Sequence, residues 1–169
     1  MSRDLAWLDG LPAEDAVREL RTCCASAAWA RAVAAGRPFA DRGALHAAAA
    51  AAFEDLGWPD IQEALQAHPR IGDRPAGPDR ESRWSRGEQS TARDADAAAL
   101  LEWNVAYEER FGRVFLICAT GLAGEEILHA LQERLRTDEA TERRVTRGEL
   151  LKIAQLRLDK LLDGAGLSV

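Results

Sequence analysis

Long apolar runs, paired cysteines and an excess of basic residues are all missing from this sequence of 169 residues. No apolar run approaches the roughly 20 residues needed to cross a bilayer. The opening Met1-Ser2-Arg3-Asp4 carries an acid early, so we expect no secretory signal. A formal net charge of -6 provides no basic footprint for nucleic acid or for an anionic membrane surface. We therefore predict neither partner, whereas an acidic small molecule is not excluded, because a local arginine can outweigh the global charge.

The cysteine content is low and argues against a disulfide framework. There are three cysteines, of which Cys23 and Cys24 are neighbours. Their spacing is typical neither of a disulfide framework nor of a zinc site. Cys118 has apolar neighbours, which indicates an inert core thiol. A reducing, cytoplasmic compartment is the simplest expectation.

Metal and cofactor motifs are also lacking. Glu126-x-x-His129 resembles half of a di-iron site in a helical bundle, but such a site needs a second half. Neither His46 nor His68 has a glutamate three residues before it. No glycine-rich phosphate loop follows a strand, so the sequence shows no evident binding site for a nucleotide. We predict an absence of metal and cofactor.

What is present favours helices. Hydrophobic residues make up 47% and charged residues 30%, which is typical of a globular chain. Alanine, leucine, glutamate and arginine dominate, and these are strong helix formers. We predict an all-α fold, a single-domain multi-helix bundle over residues 1–169 with one long functional loop after His68.

Capping residues and chain breakers set the expected helix boundaries. Proline and glycine are frequent from His68 to about Arg83, and a loop of that length in a compact domain is usually functional or mobile. Val114–Cys118 is expected to be a buried extended or helical segment. The expected helices run from about Pro12 to Cys24, around Trp29, from Asp41 to Leu56, from Pro59 to Ala67, from Ser85 to Phe111, from Gly124 to Arg136 and from Asp138 to Leu162. The apolar face of the long helix is expected to carry Leu100, Trp103, Asn104, Tyr107 and Phe111.

His68 is the first candidate for chemistry. Pro69 biases the preceding residue away from helical dihedrals, so the imidazole lies at a corner where a helix stops. Histidine titrates near neutral pH and is the commonest general acid or base. On position alone, a helix-end histidine that complements the helix dipole fits equally well.

Glu88 is the second candidate. Ser85 followed by Glu88 has the spacing of a capping box at a helix start, which is a structural role that needs no function. Gln89 follows, so two polar side chains stand together where backbone N–H groups also favour anions.

Arg157 is the third candidate, because it lies beside the apolar stripe of the last helix. At about 100° per residue it is roughly 60° from the stripe's centre, on the buried side. A guanidinium aimed at a core is costly unless it is paired or bound to a ligand. A buried ion pair and a clamp on a carboxylate or ureido group are both open.

Together the motifs resemble those of the OHCU decarboxylases, where OHCU is 2-oxo-4-hydroxy-4-carboxy-5-ureidoimidazoline. Their order and spacing are more specific than any one of them, and they extend from about Leu11 to Leu162. The motifs are His68-Pro69-Arg70-Ile71-Gly72, Ser85-x-x-Glu88-Gln89, Asn104-x-x-Tyr107-x-x-x-Phe111-Gly112, Phe115-x-Ile117-Cys118-Ala119-x-Gly121, Arg134-Leu135 and Lys152-Ile153-x-x-Leu156-Arg157-Leu158.

The resemblance implies an all-helical enzyme without metal or cofactor, commonly a homodimer, that converts OHCU to (S)-allantoin and CO2. It implies catalytic roles for His68, Glu88 and Arg157. It also implies a substrate pocket lined by Pro69, Ser85, Gln89, Phe115, Ile117 and Ala119.

Two other hypotheses are weighed against this one. The first is a cofactor-free enzyme that acts on a related ureido or β-keto acid. The second is a helical interaction module without catalysis, which accounts for a capping box and a helix-end histidine. It does not account for an arginine beside an apolar stripe.

Overall fold

Helices account for the regular secondary structure throughout the described part of the chain. The computed structural model describes residues 3–71, 80–88 and 97–164, which form nine α-helices and no strand. In chain order the helices are α1 (Leu5–Gly10), α2 (Ala13–Arg21), α3 (Ala27–Ala35), α4 (Arg42–Glu54), α5 (Trp58–Leu65), α6 (Arg80–Glu88), α7 (Ala97–Phe111), α8 (Gly124–Arg134) and α9 (Glu139–Leu162). The all-α prediction is confirmed. Within these ranges, no helix combines the length and the apolar character that a membrane crossing requires.

Side-chain oxygens start several of these helices. Asp41, where a helix was expected to begin, caps α4, and its carboxylate accepts the Ala44 N–H at 2.8 Å. The Asp4 carboxylate accepts the Trp7 N–H at 3.0 Å and starts α1. The helix expected from about Pro12 is α2, which has Pro12 as its N-cap. It is not the first helix, because α1 precedes it. A helix of six residues is too short to show an apolar period in the sequence.

The first of two compact units comprises the described residues of Met1–Ala67 and Leu151–Val169. In it α3 packs against α2, α4 and α5. Trp29 is fully buried, donates from Nε1 to the Ala49 carbonyl at 3.1 Å and meets the Phe53 ring edge-on. The one-domain boundary over residues 1–169 stays a prediction.

The second unit comprises the described residues of His68–Leu150, and α7 packs against α8 in it. The Tyr107 ring lies 4.7 Å from the Phe111 ring and 5.3 Å from the Phe115 ring, centroid to centroid. Trp103 was expected to face inward but is 36% exposed. It lies roughly 70° from the centre of the buried stripe of α7, on its flank. The core of this unit consists of Ile71, Leu100, Tyr107, Phe115, Ile117, Ala119, Ile127 and Leu131.

The helix expected from Ser85 to Phe111 is wrong, and so is the capping-box interpretation. Ser85 and Glu88 both lie in the second half of α6, which begins at Arg80 within the expected loop. A spacing of three residues is also one turn of a helix interior, so the pattern alone does not separate the two cases. Residues 89–96, between α6 and α7, are outside the described part. The helices expected near Gly124–Arg136 and Asp138–Leu162 agree closely with α8 and α9.

We predict that Asp41→Ala lowers the free energy of unfolding by about 1 kcal/mol, because one N–H at the start of α4 loses its acceptor. Urea unfolding followed by circular dichroism measures this. Glu54→Ala is the matched control, since it removes an exposed carboxylate from the other end of the same helix. An acid there opposes the helix dipole, so the control should be neutral or slightly stabilising. Equal destabilisation by both changes would refute the capping role.

Candidate active site

His68 lies three residues beyond the end of α5, at the bend expected before Pro69. The residues that follow it are fastened to α7 at two points. The Asn104 side-chain amide donates to the Ile71 carbonyl at 3.0 Å, and Asn104 is fully buried. Arg70 forms an ion pair with Glu108 at 2.7 Å. The half-buried imidazole is thus held at the start of an anchored segment.

Two further predicted site residues project from α6. Ser85 is buried and Glu88 is half-buried. Because they are three residues apart on one helix, they lie on the same side of it. A hydroxyl and a carboxylate together can hold a polar ligand. Gln89, predicted to line the pocket, is outside the described residues.

The predicted pocket residues Phe115, Ile117 and Ala119 lie between α7 and α8. They are buried, and all three belong to the core of the second unit. Residues 114–119 contain neither helix nor strand. Burial of Phe115–Ile117 agrees with expectation, but Cys118 is half-buried and not the core thiol that was predicted. An irregular segment needs hydrogen-bond partners from elsewhere, because it cannot satisfy its own carbonyls.

Arg134 on α8 supplies one such partner. Its Nη1 donates to the Leu116 carbonyl at 2.5 Å, and its guanidinium lies 4.5 Å from the centroid of the Phe115 ring. Nε and Nη2 donate to Glu142 on α9, at 2.8 and 2.5 Å. Nη2 also donates to the Thr146 hydroxyl at 3.2 Å. A single buried guanidinium therefore connects two helices and the irregular segment.

Glu142 is fully buried and is surrounded by donors. Besides Arg134, it accepts from the Tyr107 hydroxyl at 2.6 Å and from the Thr137 hydroxyl at 3.1 Å. Burial, and then the hydrogen bond to Glu142, raises the pKa of Tyr107 to about 12. The phenol keeps its proton across the physiological range and remains a donor to this carboxylate.

Arg157 lies in the first unit, on α9, and only 4% of it is exposed. Its neighbours on the helix, Ile153, Ala154 and Leu158, are also buried, so the predicted inward orientation is confirmed. Burial raises the pKa of the Cys24 thiol to about 11, an effect opposed by the Ser26 backbone and the positive charge of Arg157. The guanidinium is therefore close enough to a neutral thiol to influence it.

The predicted site residues divide between the two units. The second unit contains seven of them, which are His68, Pro69, Ser85, Glu88, Phe115, Ile117 and Ala119. Arg157 belongs to the first unit. That all of them act on one substrate stays a prediction.

Sequence reasoning missed the supporting residues. Arg134 was quoted in a motif without a role, and Asn104 was expected only to lie on the apolar face of the long helix. Glu142 was not singled out, since nothing in its local pattern marks it as buried. Glu142 lies three residues after Glu139 and four residues before Thr146, in a stretch rich in charged residues. Such a position is typical of an exposed helix face.

Most of the chain has counterparts in known proteins. Residues 9–159 match the family model described as OHCU decarboxylase. The chain belongs to the OHCU decarboxylase family.

Individual members of the family and a solved structure are similar along most of the chain. A 2-oxo-4-hydroxy-4-carboxy-5-ureidoimidazoline decarboxylase of Amia calva is 38% identical over 139 residues, and the similarity covers 79% of each protein. The uric acid degradation bifunctional protein TTL of Arabidopsis thaliana is 37% identical over 86% of this chain. The chain spans about half, 47%, of that relative. A crystal structure of OHCU decarboxylase in the presence of (S)-allantoin superimposes with a TM-score of 0.73 at 31% identity, covering 85% of this chain and 96% of the other.

Within the OHCU decarboxylase fold, the two fastenings after His68 should differ in strength. We predict that Asn104→Ala lowers the free energy of unfolding by about 1–3 kcal/mol, because the buried Ile71 carbonyl loses its donor. Arg70→Ala should cost less than about 1 kcal/mol, because a partly exposed ion pair is screened by water. Thermal and urea unfolding of both variants measure the difference. A larger loss in Arg70→Ala would contradict this ranking.

Proposed function

We propose that this chain decarboxylates OHCU to (S)-allantoin and CO2, a step in urate breakdown, without a metal or a cofactor. The observation that carries the proposal is membership of the OHCU decarboxylase family over residues 9–159. His68, Glu88 and Arg157 all lie inside this range. The similar structure obtained in the presence of (S)-allantoin supports the proposed product.

The chemistry of OHCU explains how the reaction proceeds without an added electron sink. One ring carbon carries both the hydroxyl and the carboxylate. When its bond to the carboxylate breaks, CO2 leaves and the electron pair forms a double bond to the ureido-bearing ring carbon. The electrons of the neighbouring C=N bond move onto nitrogen, which takes up a proton. The resulting enol loses its hydroxyl proton and gains a proton on the ureido-bearing carbon, which yields allantoin.

The three proposed catalytic residues match the needs of these steps. His68 accepts a hydrogen bond or the proton from the hydroxyl as charge shifts during CO2 loss. Glu88 orients His68 or binds ureido N–H groups, for which a carboxylate is a strong acceptor. Arg157 holds a carbonyl or ureido oxygen, and a planar guanidinium offers two parallel donors for that purpose. Delivery of the proton to one face of the ureido-bearing carbon determines the configuration of the product.

The activity is tested by making OHCU in place. Urate, urate oxidase and hydroxyisourate hydrolase are mixed with the protein, and circular dichroism follows the optically active product. We expect the (S)-allantoin signal to grow in proportion to the protein concentration, before and after dialysis against a strong chelator. Racemic product at the rate of the protein-free mixture would overturn the proposal. Chelator-sensitive activity restored by iron, manganese or zinc would overturn its metal-free part.

Two narrower expectations remain predictions. The family resemblance implies a homodimer, and the low cysteine content favours the cytoplasm. Sedimentation analysis of the purified protein tests the first of these.

We predict that His68→Gln reduces kcat by about 10²–10⁴-fold, because the side chain that exchanges a proton with OHCU is replaced by a non-titrating one. The melting temperature should change little, since His68 is half-buried at a bend. His129→Gln is the matched control, because His129 is exposed on α8. Undiminished kcat in His68→Gln would remove His68 from the mechanism.

We predict that Arg157→Lys lowers kcat/KM by roughly 10- to 150-fold, because lysine cannot form a planar two-donor clamp. This corresponds to about 1.5–3 kcal/mol for one charge-assisted contact. Arg31→Lys, on the exposed face of α3, is the control. If Arg157 only stabilises the fold, its variant should melt at a lower temperature while kcat/KM of the folded fraction stays at the control's value.

A further inference from the structure

We infer that Arg134 is a positioning residue, which holds Phe115 and Ile117 in the arrangement that the substrate requires. The inference rests on the proposed function, because these two residues are assigned to the OHCU pocket there. The anchoring contacts themselves lie entirely within the second unit. Nothing in the sequence motifs assigns Arg134 a part in binding or catalysis.

The first step is the lack of regular structure in residues 114–119. Neither helix nor sheet hydrogen bonds fix the backbone between Phe115 and Ile117. The Leu116 carbonyl lies at the midpoint of this stretch and accepts from Arg134 Nη1. A charge-assisted hydrogen bond to a buried carbonyl is about twice as strong as a neutral one. It fixes the peptide between Leu116 and Ile117, and so the backbone next to both predicted pocket residues.

The second step is the stacking of the same guanidinium on Phe115. Its Cζ lies 4.5 Å from the ring centroid, within the range of a cation–π contact. Phe115 is fully buried and Arg134 is only 7% exposed, so little water screens the attraction. The backbone and one side chain of the segment are therefore held by one planar group.

The third step is that Arg134 is itself held in place. Glu142 accepts two of its N–H groups, and Tyr107 and Thr137 hold Glu142 in turn. The guanidinium faces Glu142 with one edge and the Leu116 carbonyl with another. A lysine could pair with the carboxylate, but one ammonium group cannot reproduce both edges and the stack.

The experiment compares Arg134→Lys with Thr146→Val. The control removes the hydroxyl that accepts from Arg134 at 3.2 Å, but it leaves the contacts to Leu116 and Phe115 unchanged. Both variants disturb the same buried network and should melt at lower temperatures. Only Arg134→Lys should raise the KM for OHCU, by about tenfold. The reason is that displaced pocket residues weaken substrate binding without removing a group that takes part in the chemical step. Its kcat should change much less than its KM.

A second readout does not depend on activity. Cys118 lies inside the irregular segment and is half-buried, whereas Cys23 and Cys24 are buried in the first unit. Arg134→Lys should speed the reaction of Cys118 with a water-soluble thiol reagent by about tenfold, which equals about 1.4 kcal/mol in the local opening equilibrium. Thr146→Val should leave the labelling rate near that of the wild type. A Cys118→Ser background identifies the labelled position.

The outcomes separate the inference from the proposed function. Wild-type KM and wild-type Cys118 labelling in a folded Arg134→Lys protein would overturn the positioning role, as would a fall in kcat at constant KM. If the wild type does not turn over OHCU, the proposed function fails, and labelling alone decides whether Arg134 anchors the segment. If Arg134→Lys does not fold, Glu142→Asp takes its place, because it keeps both charges but draws the carboxylate back from Arg134. Its Cys118 should react with the thiol reagent faster than Cys118 of the wild type, and a wild-type rate would overturn the positioning role.

Discussion

The arrangement of the second unit depends on one carboxylate that has no access to water. Glu142 is fully buried, so its charge must be matched by donors that the fold brings to it. Those donors come from α7 through Tyr107, from α8 through Arg134 and from the α8–α9 turn through Thr137. Removing one partner of such a buried pair typically costs about 3–5 kcal/mol. The positions of these elements are therefore interdependent, and so is the position of the irregular segment that Arg134 contacts.

The same constraint explains why Tyr107 and Arg134 suit these positions. Burial and the hydrogen bond to Glu142 raise the pKa of Tyr107 to about 12, so the phenol donates at any physiological pH. The planar guanidinium of Arg134 presents donors to Glu142 along one edge and to the Leu116 carbonyl along another. Tyr107 and Arg134 therefore meet the same carboxylate from two helices, and Arg134 also holds the irregular segment.

The sequence predicted the helices best where a cap or a long period marked them. Asp41 indicated the start of α4, and the inward position of Arg157 followed from helical periodicity. Short elements and internal turns were not predictable in this way. The α1 helix is too brief for a period, and the Ser85–Glu88 spacing fits a helix interior as well as a helix start.

The supporting contacts of the candidate site were beyond the reach of local patterns. Asn104 and Ile71 are 33 residues apart, and Arg134 reaches Leu116 across 18 residues. Such pairs join a helix to an irregular segment far from it in sequence, and no single segment encodes them. The residue types that resemble the family's motifs were visible in the sequence, but the groups that hold them became visible only in the structure.

The proposed reaction, carried out by one protein without a metal or cofactor, converts OHCU to CO2 and one-handed allantoin. It is tested by measuring CO2 release and optical activity together while OHCU disappears. We expect equal amounts of CO2 and (S)-allantoin, at a rate proportional to the protein concentration. Loss of OHCU at the buffer rate, or CO2 released with racemic product, would contradict it.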